Sequence, residues 1–328
     1  MKRRWLALGL VMLALAPGTW VRTAPPSVDY EAALTIEPIE PSGTFQSDSI
    51  TLDAAWKLTS ANTHFGGFSG LVVLDENTLL AGSDKARLLE LPIPDRGAGP
   101  GLMSFLKLPG DGPKELPREL VDLEAITVDL DTGTLWASYE HTQTIERHRG
   151  IHLGNIADRD PPEMQDWEDN GGPEVLQRLS DGRFLVLAES PEGWFARGTP
   201  GLLFARDPVE EQEPVAFRFP ALEGLSPVDA AMLPDGRVLI LLRDIRLQLP
   251  IRFRSALAIA DPATIREGES WDARIIARFS GPGLDANFEG LASIERDDGS
   301  AEIYVISDDN FSNLQETLLL RLIWTPQD

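Results

Sequence analysis

The sequence contains no cysteine, which excludes disulfides, thiolate metal ligands and the acylated cysteine of a lipoprotein. Histidine is scarce, at four residues in 328, so a metal site would rest mainly on oxygen. Basic residues are outnumbered, 29 against 52 acidic, for a net charge of −23. A field of that sign argues against nucleic acid and anionic membrane surfaces as partners and draws in cations. Long apolar runs are missing as well. The N-terminal run from Trp5 to Ala16 spans 12 residues, too few to cross a bilayer comfortably.

That run follows Lys2, Arg3 and Arg4, which gives "MKRRWLALGLVMLALAPGTW" the layout of a secretory signal. Ala14-Leu15-Ala16 offers the small residues of a cleavage site, whereas Pro17 is a poor residue to follow one. Residues 1–24 are therefore read as a signal peptide or an uncleaved N-terminal anchor, and residues 25–49 as an extended segment. Residues 50–328 are read as a single domain. The expected location is periplasmic or extracellular, or tethered at the inner membrane if the signal is retained.

A content of 42% hydrophobic residues supports a sizeable core, and its pattern is one of short strands. One hairpin recurs five times: "FSGLVVLDENTLLAGSD", "LEAITVDLDTGTLWASYE", "PEVLQRLSDGRFLVLAES", "PVDAAMLPDGRVLILLRD" and "FEGLASIERDDGSAEIYVISDD". Aligned on their first polar positions, Ser69, Glu124, Glu174, Asp229 and Glu289 are separated by 55, 50, 55 and 60 residues. Each hairpin turns on Asp, Gly or Asn, residues suited to tight turns. Further strand-like stretches follow three of them, such as "ARLLELPI" and "GLMSFLKL". Four short strands per repeat describe an all-β propeller with the first strand of each blade lining the channel. Five blades are expected; a sixth would have to lie in the proline-rich residues 24–49. The last repeat is one strand short, so residues 50–58 are expected to complete it beside residues 317–324 and close the ring.

In this architecture strand one begins where strand two ends, so the acids that bracket each hairpin gather at one mouth of the channel. Glu124 comes near Glu140, Glu174 near Glu189, and Glu289 near Asp308 and Asp309, while Ser69 faces Asp84. Such crowding has to be offset by protons, arginine or a divalent cation, and oxygen donors favour Ca²⁺. Glu124, Glu174, Asp229 and Glu289 are the expected calcium ligands. The competing reading makes each of these acids a cap for backbone amides of a neighbouring blade.

Asp308, Glu289 and His64 are the expected proton-transfer residues, with His141 a second histidine near the mouth. Arg243, Asn287, Asp309, Asn310, Glu140, Glu189 and Asp84 form the expected substrate rim. "GGFSGL" is not a nucleophile elbow, since Leu71 occupies the last glycine position. "DLDTGTLWASYE" is not an EF-hand, since Thr134 replaces its glycine. Trp167, Trp194 and Phe195 lie in long loops that either cover the mouth or pack against neighbouring blades.

The strings "FGGFSGL", "LEAITVD", "GGPEVLQRLSDGRFLVLAES", "NFEGLA" and "ISDDNFSNLQETLLL" resemble the bacterial phytase-like propeller family, described by its esterase-like activity of phytase. The resemblance covers about residues 60 to 324. It implies an exported propeller that hydrolyses carboxylic or phosphoric esters with Ca²⁺. The acidic signature of the calcium-dependent propeller phytases themselves has no counterpart here. The expected ligand is a small molecule or ester at the mouth. Two other functions fit the same residues: a non-catalytic envelope binding module and a calcium-dependent lactonase.

Overall fold

Alternating apolar residues bounded by turn formers produce strands almost throughout the computed structural model. It describes residues 29–31, 33–96, 99, 101–106, 121–151, 154–168, 171–191, 198–246, 252–312 and 314–326. The strands form five antiparallel sheets arranged as the blades of a β-propeller. Blade I comprises β4 (Phe68–Asp75), β5 (Thr78–Ser83), β6 (Arg87–Pro92) and β7 (Leu102–Phe105). Blade II comprises β8 (Leu123–Asp129), β9 (Thr134–Tyr139), β10 (Thr144–His148) and β11 (Asn155–Arg159). Blade III comprises β12 (Pro173–Arg178), β13 (Phe184–Ala188), β14 (Thr199–Phe204) and β15 (Val215–Phe219).

Blade IV is built from β16 (Ser226–Met232), β17 (Val238–Arg246), β18 (Arg252–Ala260) and β19 (Ala273–Ser280). Blade V is built from β20 (Asn287–Glu295), β21 (Ala301–Asp308), β22 (Thr317–Trp324) and β3 (Ile50–Thr59). The last pair joins the two ends of the chain, with Thr317 opposite Leu58 and Trp324 opposite Ile50. Among the described residues, the segment ahead of β3 forms no sixth blade. Instead β1 (Thr35–Pro38) adds to the edge of β3, and β2 (Thr44–Ser47) adds to β19, so one stretch of chain seals the outer edges of two neighbouring blades. The prolines that argue against a blade are compatible with edge strands.

The core lies between blades. Leu241, Leu257, Leu291, Val305 and Leu320, for example, bury together where blades IV and V face each other. The inner strands β4, β8, β12, β16 and β20 touch in a closed ring around the axis. Their close approach explains the glycine of "FEGL": a Cβ on Gly290 would lie 2.6 Å from Ile306 Cγ2 and 2.9 Å from Leu71 Cβ. Among the described residues no helix is long and apolar enough to cross a membrane.

Candidate functional site

Each inner strand carries a register shift at its start, and that irregularity aims the bracketing acids. Ser69, Glu124, Glu174 and Glu289 are the extra residues between Phe68/Gly70, Leu123/Ala125, Pro173/Val175 and Phe288/Gly290. A bulge of this kind turns a side chain out of the normal alternation. In blade IV the shift falls between Pro227 and Asp229, so Val228 is the equivalent residue. Asp229 is offset by one position from the other acids.

The offset changes what Asp229 does. Its Oδ1 accepts from the Ala230 amide at 2.8 Å, and its Oδ2 accepts from the Leu291 amide of blade V at 2.6 Å. The Leu71 amide of blade I also bonds to it. It ties three inner strands together near the axis and stands apart from the acids expected to join it as metal ligands. Burial raises its pKa well above the ordinary aspartate value, opposed by those three amides.

Glu124, Glu140 and Glu174 converge, each offering an oxygen within 4.8 Å of the others. Glu140 spends Oε1 on the Gly171 amide at 2.5 Å and the Gly172 amide at 3.4 Å. Glu124 and Glu174 are 8% and 7% exposed, and among the described residues neither makes a hydrogen bond or ion pair. Burial pushes both well above the ordinary glutamate range. Next come the charges of Glu140 and Asp122 for Glu124, and of Glu124 and Glu189 for Glu174. Glu140 is raised for the same main reason, with its amide bonds opposing.

Beside this triangle lies a second set, Asp122, Glu140 and His141. His141 Nε2 is 3.0 Å from Asp122 Oδ2 and 4.0 Å from Glu140 Oε2. Asp122 was missed in the sequence, although it stands two residues before Glu124.

Across the mouth, Arg243 supplies the buried positive charge. It donates to Glu189 Oε1 at 2.7 Å and to Asn287 Oδ1 at 2.6 Å, and also to Glu289 Oε1. Asn287 Nδ2 in turn reaches Glu289 Oε1 at 2.8 Å and Asp308 Oδ2 at 3.3 Å. The surrounding carboxylates raise the Arg243 pKa against the opposing effect of burial, so its charge is fixed. Glu289 is thus an ion-pair partner, with a pKa raised by burial and opposed by Arg243. Asp308 is raised well above the usual aspartate value, first by burial and then by Glu289.

The outer rim is held by local bonds. Asp309 accepts from Gly67, Phe311 and Thr317, and Asn310 donates its amide to Asp308 at 2.6 Å. Asp84 accepts from Ser83, and its charge acts on Glu124, Glu289 and Asp308. Lys85 sits over the Phe311 ring at 3.6 Å. His64, expected as a catalytic residue, stacks on Tyr30, with ring centroids 4.6 Å apart. Trp167 is packed in the core with Met164 and Phe184, whereas Trp194 and Phe195 lie outside the described residues.

These features define a five-bladed propeller with a carboxylate-lined mouth. A model of the phytase-like family, described as having the esterase-like activity of phytase, matches residues 63–311, and the chain belongs to that family. No curated protein matches it. Among solved structures it is similar to the glutaminyl cyclase of Myxococcus xanthus (14% identity, 88% of this chain and 100% of that chain, TM-score 0.46). It is also similar to the WD40 propeller domain of Doa1 (11% identity, 91% and 99%, TM-score 0.42). A third likeness is to Kuenenia stuttgartiensis hydrazine synthase (13% identity, 82% and 66%, TM-score 0.39).

Proposed function

We propose that this protein is an exported hydrolase of carboxylic or phosphoric esters whose mouth binds Ca²⁺ through Glu124, Glu140 and Glu174. The observation that carries the reading is the state of Glu124 and Glu174. Both are more than nine-tenths buried and without a hydrogen-bond or ion-pair partner among the described residues. An unpaired buried carboxylate is costly, by several kcal/mol per ion even after relaxation, and a hard divalent cation offsets that cost. The donor set fits Ca²⁺, since it consists of carboxylate oxygens on three separate strands or turns. When bound, the ion supplies Lewis-acid polarisation of the ester oxygen.

The remaining residues have separate tasks. Arg243 is held by Glu189, Glu289 and Asn287, so its guanidinium is a fixed donor group at the mouth. Asp308, with its pKa raised by burial and its bond from Asn287, is suited to hold and return a proton. Glu289 keeps Arg243 in place and is the weaker candidate for proton transfer.

The test is a substrate panel of aryl carboxylic esters, lactones and phosphoesters, assayed with Ca²⁺ and with chelator. The reading expects chelator-sensitive turnover of at least one ester class, lowered at least about 100-fold in Asp308→Asn. Turnover insensitive to chelator would overturn it. A non-catalytic binding module is favoured by one observation: Arg243 and Glu140 are already engaged by protein groups. Ca²⁺ binding with no turnover on any panel member would establish that alternative.

A further inference from the structure

The turn between β21 and β22 is strained at its tip. Asn310 and Phe311 both lie in the left-handed region, at φ 50° and 48°, which a bulky residue such as Phe311 adopts only when its surroundings hold it there. Two carboxylates do so: Asp308 Oδ1 accepts from the Asn310 amide at 2.6 Å, and Asp309 Oδ1 accepts from the Phe311 amide at 2.9 Å. Blade I leaves room for the ring. A Cβ on Gly67 would collide with it and would lie 2.6 Å from Asp84 Oδ1. The charge of Asp84 acts on Glu124, Glu289 and Asp308, so the Phe311 ring stands at the rim of the mouth, where it is 37% exposed.

That ring carries the ammonium of Lys85, 3.6 Å from its centroid. In a chain of net charge −23, and next to Asp84, a carboxylate would be the ordinary partner, yet Lys85 makes no ion pair among the described residues. Other cations at the mouth are matched. Arg243 pairs with Glu189 and Glu289, and His141 faces Asp122. An aromatic ring attracts an ammonium through its quadrupole and leaves the charge uncancelled. At a half-buried position such a contact is readily exchanged for a charge-assisted hydrogen bond.

We propose that Lys85, held in waiting on Phe311, is the anion-binding residue of the mouth, and that its ligand carries a single negative charge, a carboxylate or a phosphodiester. One ammonium balances one such charge. The dianion of a phosphomonoester would bring a second into a mouth lined by Glu124, Glu140, Glu174, Glu289 and Asp308, whose field repels it. Calling this ligand the substrate rests on the hydrolase reading above; the anion site itself does not.

The chain has five lysines, Lys2, Lys57, Lys85, Lys107 and Lys114, so ¹³C-lysine labelling of the full-length protein leaves few Cε–Hε signals to follow by NMR. The ring current of Phe311 should place the Lys85 Hε signal upfield of the others. Lys85→Gln should remove that signal, and Phe311→Leu should return it to the ordinary position. With Ca²⁺ present, at pH 8 and constant ionic strength, hexanoate and diethyl phosphate should each move it saturably to the ordinary position. Hexanamide should leave it in place, and phenyl phosphate, a dianion, should act at least about tenfold more weakly. In Lys85→Gln the calorimetric affinity for hexanoate should fall about tenfold or more.

A Lys85 signal that starts at the ordinary position, or stays upfield through both monoanion titrations, would overturn the proposal. An equal response to hexanamide, tighter binding of phenyl phosphate, or unchanged hexanoate affinity in Lys85→Gln would do the same. Movement of Lys85 by the monoanions without turnover of any ester removes the hydrolase reading and keeps the anion site. Ester turnover beside an unmoved Lys85 does the reverse.

Discussion

Residues of the same type carry different loads at this mouth. Asp229 and Glu174 are both buried acids near the axis, yet Asp229 is saturated by backbone amides and Glu174 is not. Asp229→Asn places an amide NH₂ against one of the N–H groups it now accepts from. It should destabilise the protein by about 1–3 kcal/mol in urea unfolding, the cost of a buried unsatisfied donor. A change below about 0.5 kcal/mol would show that Asp229 is no strand tie.

The titration of the other acids runs in a defined direction. Glu124, Glu174 and Asp308 have folded pKa values raised above their ordinary ones, mainly by burial. The folded state therefore binds protons more tightly than the unfolded chain, and stability falls as pH rises from the ordinary carboxylate range, about 4 to 4.5, through the raised values. Calcium-free protein should thus melt at a lower temperature at pH 8 than at pH 5, and the Glu124→Gln/Glu174→Gln variant should show a flatter profile. Equal slopes in differential scanning calorimetry would mean these two glutamates are not the source.

At the scale of elements, the first strand of each blade was legible because strand alternation and Asp-Gly turns leave strong local marks. Residues 50–58 were legible as a closing strand because the last repeat lacked a partner, and β3 does pair with β22. What the local pattern could not show was a one-residue register shift. "PVDA" aligns with "PEVL" on its proline, which puts Val228 and not Asp229 opposite Glu174. The acid alone was a misleading anchor. The stacking of His64 on Tyr30 is likewise a contact over 34 residues with no sequence signature.

The sealing role of the N-terminal strands makes its own prediction. Deleting residues 45–58 removes β3 and most of β2, which exposes the edge of β22 from Leu318 to Trp324. An apolar unpaired edge recruits other chains. The truncated protein should elute in the void volume of a size-exclusion column, and a monomeric, cooperatively melting product would contradict ring closure.

For the whole molecule, five blades converge their polar ends on one mouth while their apolar faces bury against one another. The arrangement spends stability on a group of buried carboxylates that the fold alone does not compensate. That imbalance is the reason to expect a cation, and it separates the chain's fold, which the sequence pattern carried, from its site, which depends on bulge geometry and on pairs such as Asp122 and His141. Calorimetric titration of the chelator-treated protein with Ca²⁺, read together with its thermal unfolding, tests the central claim most directly. A ligand that binds only the folded state adds about 2.7 kcal/mol at 100 times its dissociation constant, or about 4–5 °C for a domain of this size. The wild type should show saturable binding and a shift of that order, both lost in Glu124→Gln/Glu174→Gln; no heat and no shift at millimolar Ca²⁺ in the wild type would contradict the account.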